Sequence, residues 1–215
     1  MIKMGRYIFK EVKPKEGTPY NSLHEEVLGR PCYVVHLEIG ERALINYEPD
    51  YDPGHYHKGI IEEDFTNYKR PSMFISTCFC NFKCCTESGL DVGVCQNAPL
   101  AKAEIKDISG DVICKHYISN PITSAIVFGG LEPMDQFQEL SEFIVLMRDN
   151  FNCDDDIVIY TGYYPEEVAE EINALSKYKN IVVKFGRYIP NKPSSYDDVL
   201  GIELASDNQF AERIS

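Results

Sequence analysis

Thr77-Cys-Phe-Cys-Asn-Phe-Lys-Cys-Cys-Thr-Glu-Ser-Gly-Leu-Asp-Val-Gly-Val-Cys-Gln-Asn-Ala-Pro-Leu100 carries five of the chain's eight cysteines, four of them in the eight residues from Cys78 to Cys85. A packed core uses cysteine as a small apolar residue at scattered positions, so this crowding needs another cause. Adjacent residues such as Cys84 and Cys85 are poorly placed for unstrained disulfides, and nothing in the sequence suggests export. Zinc commonly takes two Cys-x-x-Cys or Cys/His pairs, and no Cys-x-x-Cys pair occurs here. An iron–sulfur cluster, which takes thiolates from a loop, fits the pattern better than either.

The flanking residues narrow the reading. Cys80-Asn-Phe-Lys-Cys84 resembles the opening of the radical S-adenosylmethionine (SAM) signature Cys-x-x-x-Cys-x-x-Cys, in which three cysteines hold three irons of a [4Fe-4S] cluster. Glu87 stands where the third cysteine is expected, whereas Val94-Cys95-Gln-Asn-Ala-Pro-Leu100 resembles the end of the same signature. A loop lengthened between the second and third ligands reconciles the two, because closure entropy grows only with the logarithm of loop length. Gly89 and Gly93 help such a loop to turn. The resemblance implies Cys80, Cys84 and Cys95 as metal ligands, with Cys85 as the alternative to Cys84 and Cys78 as a bystander at a strand end.

The 215 residues suit one domain with a small addition, and 44% hydrophobic residues supply a sizeable core. Twenty-one basic against 34 acidic residues give a formal charge of −13, which argues against nucleic acid as a partner. No apolar run reaches the length of a membrane span, and Met1 to Arg6 lack a signal peptide's apolar region. A cytoplasmic, reducing location is therefore expected, and it suits free thiols.

Two regions differ in texture. Residues 1–70 read as a small β-rich N-terminal extension: Arg6–Lys10 and Cys32–Ile39 are rich in β-branched and aromatic residues, and Arg42–Tyr47 follows a turn at Gly40-Glu41. Asn21-Ser22 caps an expected helix over Leu23–Leu28. His55 and His57 sit in a loop-like stretch and read as solvent-facing or locally hydrogen-bonded, with no ligand role.

From Pro71 strands and helices alternate. Strands are expected at Met73–Thr77, Ser124–Phe128, Asp156–Tyr160 and Ile181–Phe185, and helices at Leu100–Ile105, Asp111–Ile118, Met134–Met147 and Glu166–Leu175. Phe137, Leu140, Phe143, Ile144 and Met147 follow helical spacing and read as core. The acidic run Asp154-Asp155-Asp156 reads as a solvated helix-to-strand loop. Alternation of this kind predicts a parallel sheet, here an α/β fold forming a partial, open βα barrel over residues 71–215, with the site on loops at the carboxyl ends of the strands.

Those loops carry the second set of motifs. Gly129-Gly130-Leu131-Glu132-Pro133 resembles the Gly-Gly-Glu-Pro motif of radical SAM enzymes, with Leu131 as an added residue. Tyr160-Thr-Gly-Tyr163, Lys184-Phe-Gly-Arg-Tyr188 and Ser206-Asp-Asn-Gln209 resemble, in order, the Trp-Thr-Gly-Tyr, Asp-Gly-Arg-Phe and Ser-Asn-Gln segments of anaerobic ribonucleotide reductase activating proteins, and Lys184 stands where that family has Asp. The resemblance spans about residues 71–212. It implies that Gly129, Gly130, Glu132, Thr161 and Asn208 contact the cofactor.

What the resemblance implies is an enzyme in which a [4Fe-4S] cluster reductively cleaves SAM to methionine and a 5′-deoxyadenosyl radical. That radical would install a glycyl radical on a large anaerobic ribonucleoside-triphosphate reductase, with a flavodoxin- or ferredoxin-type electron donor. A radical SAM enzyme acting on a small molecule is the first alternative. A nonenzymatic iron–sulfur or zinc protein that binds a partner is the second.

Overall fold

The computed structural model describes residues 59–103 and 110–215 together with three earlier strands. Those strands, β1 (Tyr7–Val12), β2 (Cys32–Leu37) and β3 (Arg42–Ala43), pair antiparallel in the order β1-β2-β3. They fall on the segments whose β-branched and aromatic content predicts them. The helix expected over residues 23–28 and the loop with His55 and His57 lie outside the described residues.

A six-stranded sheet organises the rest. β4 (Ile60–Asp64), β5 (Ser72–Ser76), β6 (Ala125–Gly129), β7 (Asp156–Tyr160), β8 (Ile181–Phe185) and β11 (Phe210–Arg213) lie in the order β11-β8-β7-β6-β5-β4. β5 to β8 are parallel and each is added beside its predecessor, while β4 and β11 flank them antiparallel. β9 (Ser195–Asp197) and β10 (Ile202–Leu204) pair as a separate ribbon. The four parallel strands match the predicted ones within a residue at each end, apart from their flanking partners. β4, β9, β10 and β11 were not legible as strands, being short and flanked by charge.

Right-handed crossovers that all advance in one direction place the connecting helices on one face of a sheet. α3 (Gly110–Ser119), α4 (Phe137–Val145) and α5 (Ala169–Leu175) occupy it: Ile113, Leu140, Phe143, Ile144 and Leu175 share one core with Ile126, Phe128, Ile157 and Ile159. Ile113 and Ile144 are wholly buried, each contributing about 1.5–3 kcal/mol. The opposite face carries smaller residues, Ala125, Val127, Val158 and Val182, beneath Tyr68, Leu200 and Leu204. With both faces covered, β6 and β8 are buried at every residue, and for that reason β6 reads as a continuous apolar run and β8 as one interrupted only by Lys184.

Three expectations need correction. The helix expected over Met134–Met147 is a composite: a 3-10 turn (Pro133–Gln136), α4, and a π-helical turn (Leu146–Asn150) that ends before Asn152 in the left-handed region. The helix expected over Leu100–Ile105 is the single turn α2 (Ala98–Ala101), and residues 104–109 lie outside the described residues. The acidic run is not uniformly solvated. Asp154 is exposed, but Asp156 is 3% exposed, paired with Arg70 (3.1 Å) and Arg213 (2.8 Å) and accepting from the Tyr68 hydroxyl.

Candidate functional site

The carboxyl ends of β5 to β8 carry the motif loops, and hydrogen bonds bind these loops to one another. Leaving β5, Thr77 N–H donates to Gly129 O (2.9 Å) and Cys78 N–H to Gln136 Oε1 (3.2 Å). Phe79 O accepts from Glu132 N–H (2.7 Å), and Asn81 N–H donates to Asp135 Oδ2 (3.1 Å). The cysteine loop is thereby laced to the loop after β6. Phe82 then takes a left-handed conformation (φ 53°), at a cost of about 1–2 kcal/mol for a residue with a side chain, and opens the short helix α1 (Lys83–Glu87). This turn aims Phe82 N–H at Cys80 Sγ, 3.3 Å away.

The thiols gather above this turn. Cys84 Sγ lies 4.0 Å from Cys85 Sγ. Cys85 interacts with both Cys84 and Cys95, and Cys80 with Cys84. Burial pushes the Cys80 thiol up to about 12 and that of Cys85 to about 11, the latter helped by Cys84 and Cys95. Such thiols are neutral without a metal, so metal capture must release their protons. Among the described residues no three Cys, His, Asp or Glu side chains form a ready-made single-ion site. Cys80, Cys84 and Cys95 thus share a loop without being drawn into one closed set, and Cys85 sits between two of them. Cys78 is buried in the core, as a bystander would be.

Glu87, at the position of the missing cysteine, has a structural task. Its Oε2 lies 2.9 Å from Arg187 Nε. Arg187 also makes a bidentate pair with Glu167 (2.7 and 2.5 Å), and Lys83 pairs with Glu167 and, at 3.6 Å, with Glu87. Tyr163 and Tyr164 lie beneath the guanidinium, 5.9 and 5.1 Å from ring centre to Cζ. Tyr163 OH donates to Asp135 Oδ1 (2.7 Å) and accepts from Asn81 Nδ2 (2.5 Å). This clasp joins α1 to the loops after β7 and β8, and the Arg187 bonds hold Glu167 down at about 2. Only its separate residues, scattered over a hundred positions, are visible in the sequence.

The expected cofactor residues occupy the same end. Gly130 has φ 79°, and a Cβ there would meet Leu100 Cδ2 at 2.8 Å and Ser76 Oγ at 3.1 Å; at Gly129 it would meet the Phe74 ring at 3.0 Å. The bareness of both glycines lets neighbouring elements close on the loop. Glu132 is buried with its oxygens occupied by Met134 N–H (3.0 Å) and Gly162 N–H (2.8 Å). Burial raises its carboxyl to about 7 against the pull of those bonds. Thr161 is 1% exposed, its Oγ1 accepting from Tyr163 N–H. Both residues shape the loop.

Asn208 and Lys184 differ from these. The Asn208 Nδ2 group donates to Arg187 O (2.7 Å) and Tyr164 OH (3.2 Å), and its buried Oδ1 has no partner among the described residues. Leaving an acceptor in that condition costs about 1–3 kcal/mol. Lys184 is 6% exposed and donates from Nζ to Gly186 O (2.8 Å). Burial lowers it to about 8, while Glu132 and Cys84 act in the opposite direction.

A family model described as a 4Fe-4S single cluster domain matches residues 69–209. No curated protein and no solved structure matches the chain. No helix among the described residues is long and apolar enough to cross a membrane.

Proposed function

The chain belongs to the 4Fe-4S single cluster domain family, and from that premise we propose that it is a radical SAM enzyme that activates a large anaerobic ribonucleoside-triphosphate reductase by installing a glycyl radical. The observation that carries this reading is a loop at the carboxyl end of a parallel sheet that holds Cys84 Sγ 4.0 Å from Cys85 Sγ and carries Cys80 and Cys95 with them. Ligand sites of such sheets form on those ends. The described sheet, with successive parallel strands and helices on one face, is compatible with a partial βα barrel.

The residues present fit both the cluster and SAM. Cys80, Cys84 or Cys85, and Cys95 would hold the cluster through soft thiolate sulfur, with the Phe82 N–H at Cys80 Sγ adjusting its electronics. Held by three cysteines, a bound cluster would supply the electron for reductive cleavage of SAM to methionine and a 5′-deoxyadenosyl radical. The unpartnered Asn208 Oδ1 suits an N–H or O–H of a bound small molecule. The laced loops and the Arg187 clasp keep the thiols oriented and limit access of water. The electron would come from a flavodoxin- or ferredoxin-type donor.

One observation favours a second reading. Besides Cys78 the loop carries four thiols, Cys80, Cys84, Cys85 and Cys95, where three are required, and a cluster held by all four would have no open iron, as in a nonenzymatic iron–sulfur protein. The anaerobically reconstituted, reduced protein separates the two. Formation of 5′-deoxyadenosine from SAM, and a glycyl radical signal on mixing with a candidate reductase, is the expected result. A stable cluster that never consumes SAM would favour the second reading.

A further inference from the structure

We infer that the Tyr163 hydroxyl is a positioning group for the cysteine loop: gripping Asn81 from the loop after β7, it keeps the Phe82 N–H on Cys80 Sγ and so raises the reduction potential of the centre that Cys80 would hold. This rests on the cysteine loop holding a cluster, and not on SAM being its substrate.

Three loops meet at that hydroxyl. Tyr163 OH donates to Asp135 Oδ1 (2.7 Å), in the 3-10 turn after β6, and accepts from Asn81 Nδ2 (2.5 Å), in the cysteine loop. The other oxygen of the same carboxylate takes the Asn81 backbone N–H at 3.1 Å. Asp135 therefore grips Asn81 twice, directly at the main chain and through the hydroxyl at the side chain, which closes a ring of three hydrogen bonds. The remaining polar atom of that side chain, Asn81 Oδ1, accepts from Lys83 N–H at 2.9 Å. Asn81 thus satisfies a free donor at the start of α1, where Phe82 has no side-chain oxygen to offer.

The residue held between these contacts is the strained one. Phe82 has φ 53°, and a left-handed residue with a side chain relaxes to the ordinary regions unless its neighbours prevent it. Its N–H meets Cys80 Sγ at 3.3 Å, and its carbonyl accepts from Cys85 N–H (2.9 Å) and Thr86 N–H (3.1 Å). One backbone conformation thereby orients the first thiol and starts the helix that bears Cys84 and Cys85. Asn81 is exposed, so water would satisfy its amide if the hydroxyl were removed, but a water is not tied to the scaffold as Tyr163 is, whose ring packs against the core. An N–H aimed at a ligand sulfur draws electron density from it and favours the reduced state, and hydrogen bonds to the sulfurs are a known lever on cluster potential. Reduction adds one electron from an external one-electron reductant to the cluster and makes or breaks no bond.

The test is the midpoint potential of the cluster in anaerobically reconstituted full-length protein, titrated with a low-potential one-electron reductant and read by absorbance and paramagnetic resonance. Tyr163→Phe, which keeps the ring and removes the hydroxyl, is expected to shift the midpoint to more negative values with iron content retained. Asn81→Ala should shift it the same way, and the double variant no further than Asn81→Ala alone, because the hydroxyl acts through Asn81. A midpoint unchanged in loaded Tyr163→Phe overturns the inference. So does an additive shift in the double variant, or an equal shift in Tyr164→Phe, whose hydroxyl meets Asn208 at 3.2 Å. Failure of Tyr163→Phe to load iron overturns it as well, since the hydroxyl would then serve assembly. A wild-type protein with a reducible cluster but no SAM cleavage would sink the proposed function and leave this inference standing.

Discussion

Arg187 Nε stands 2.9 Å from Glu87 Oε2, which ties the loop after β8 to the last residue of the cysteine-bearing helix at the position where a third signature cysteine is expected.

Removing that anchor should loosen the thiols more than the fold. Arg187 is 6% exposed and makes three charge-assisted contacts with partly exposed carboxylates, so Arg187→Met is expected to cost about 1–3 kcal/mol. Arg187→Lys should recover little, because lysine cannot make the bidentate pair. Denaturant midpoints of the reconstituted protein check the first point. Faster bleaching of the cluster absorbance in air checks the second.

The same clasp gives a pH signature. Glu167 sits at about 2 in the folded protein, held by the Arg187 and Lys83 bonds, against about 4.3 for an unperturbed glutamate. A lowered folded-state value stabilises above the unfolded value and is lost as pH falls. The stability gap between wild type and Glu167→Gln should therefore be full above about pH 5 and close between about 4.3 and 2. A gap that is constant across that range would show that the Arg187 pair contributes nothing through ionisation.

Cysteine substitutions should sort by position. Cys80→Ala and Cys95→Ala are each expected to abolish the cluster absorption and resonance signal, and Cys78→Ala, Cys114→Ala and Cys153→Ala to leave it. Those last three are buried in the apolar core. Cys84→Ala should abolish it as well. If Cys85→Ala does so in its place, the second ligand is Cys85, which stands between Cys84 and Cys95.

Much of the parallel sheet was legible because two-sided burial makes β6, β7 and β8 apolar at nearly every residue, and the turns between them carry recognisable motifs. The edge strands were not, since β4 and β11 alternate buried and exposed residues over only a few positions. The thiol loop declared itself through composition. What the chain does with Gly130 did not: a bare glycine signals that a side chain is excluded, but the sequence does not tell a ligand from Leu100. Asp156 read as solvated for a similar reason, its partners Arg70 and Arg213 being 86 and 57 positions away.

Gly130 supplies a check on that packing. With φ 79° and Leu100 Cδ2 2.8 Å from an added Cβ, Gly130→Ala should lose about 1–3 kcal/mol. In a Leu100→Ala background, which has its own cavity cost, the clash is gone but the backbone strain remains, so Gly130→Ala should cost less there than in the wild type but still cost something. No cost of Gly130→Ala in that background, read from thermal or denaturant midpoints, would show that the backbone conformation carries no strain.

The proposed function requires an iron–sulfur cluster with one iron open to SAM. Low-temperature paramagnetic resonance of the anaerobically reduced protein, recorded with and without SAM, tests it most directly. A [4Fe-4S] signal whose shape changes when SAM is added is the expected result. A signal identical in both samples, or zinc in place of iron in the anaerobically purified protein, would contradict it.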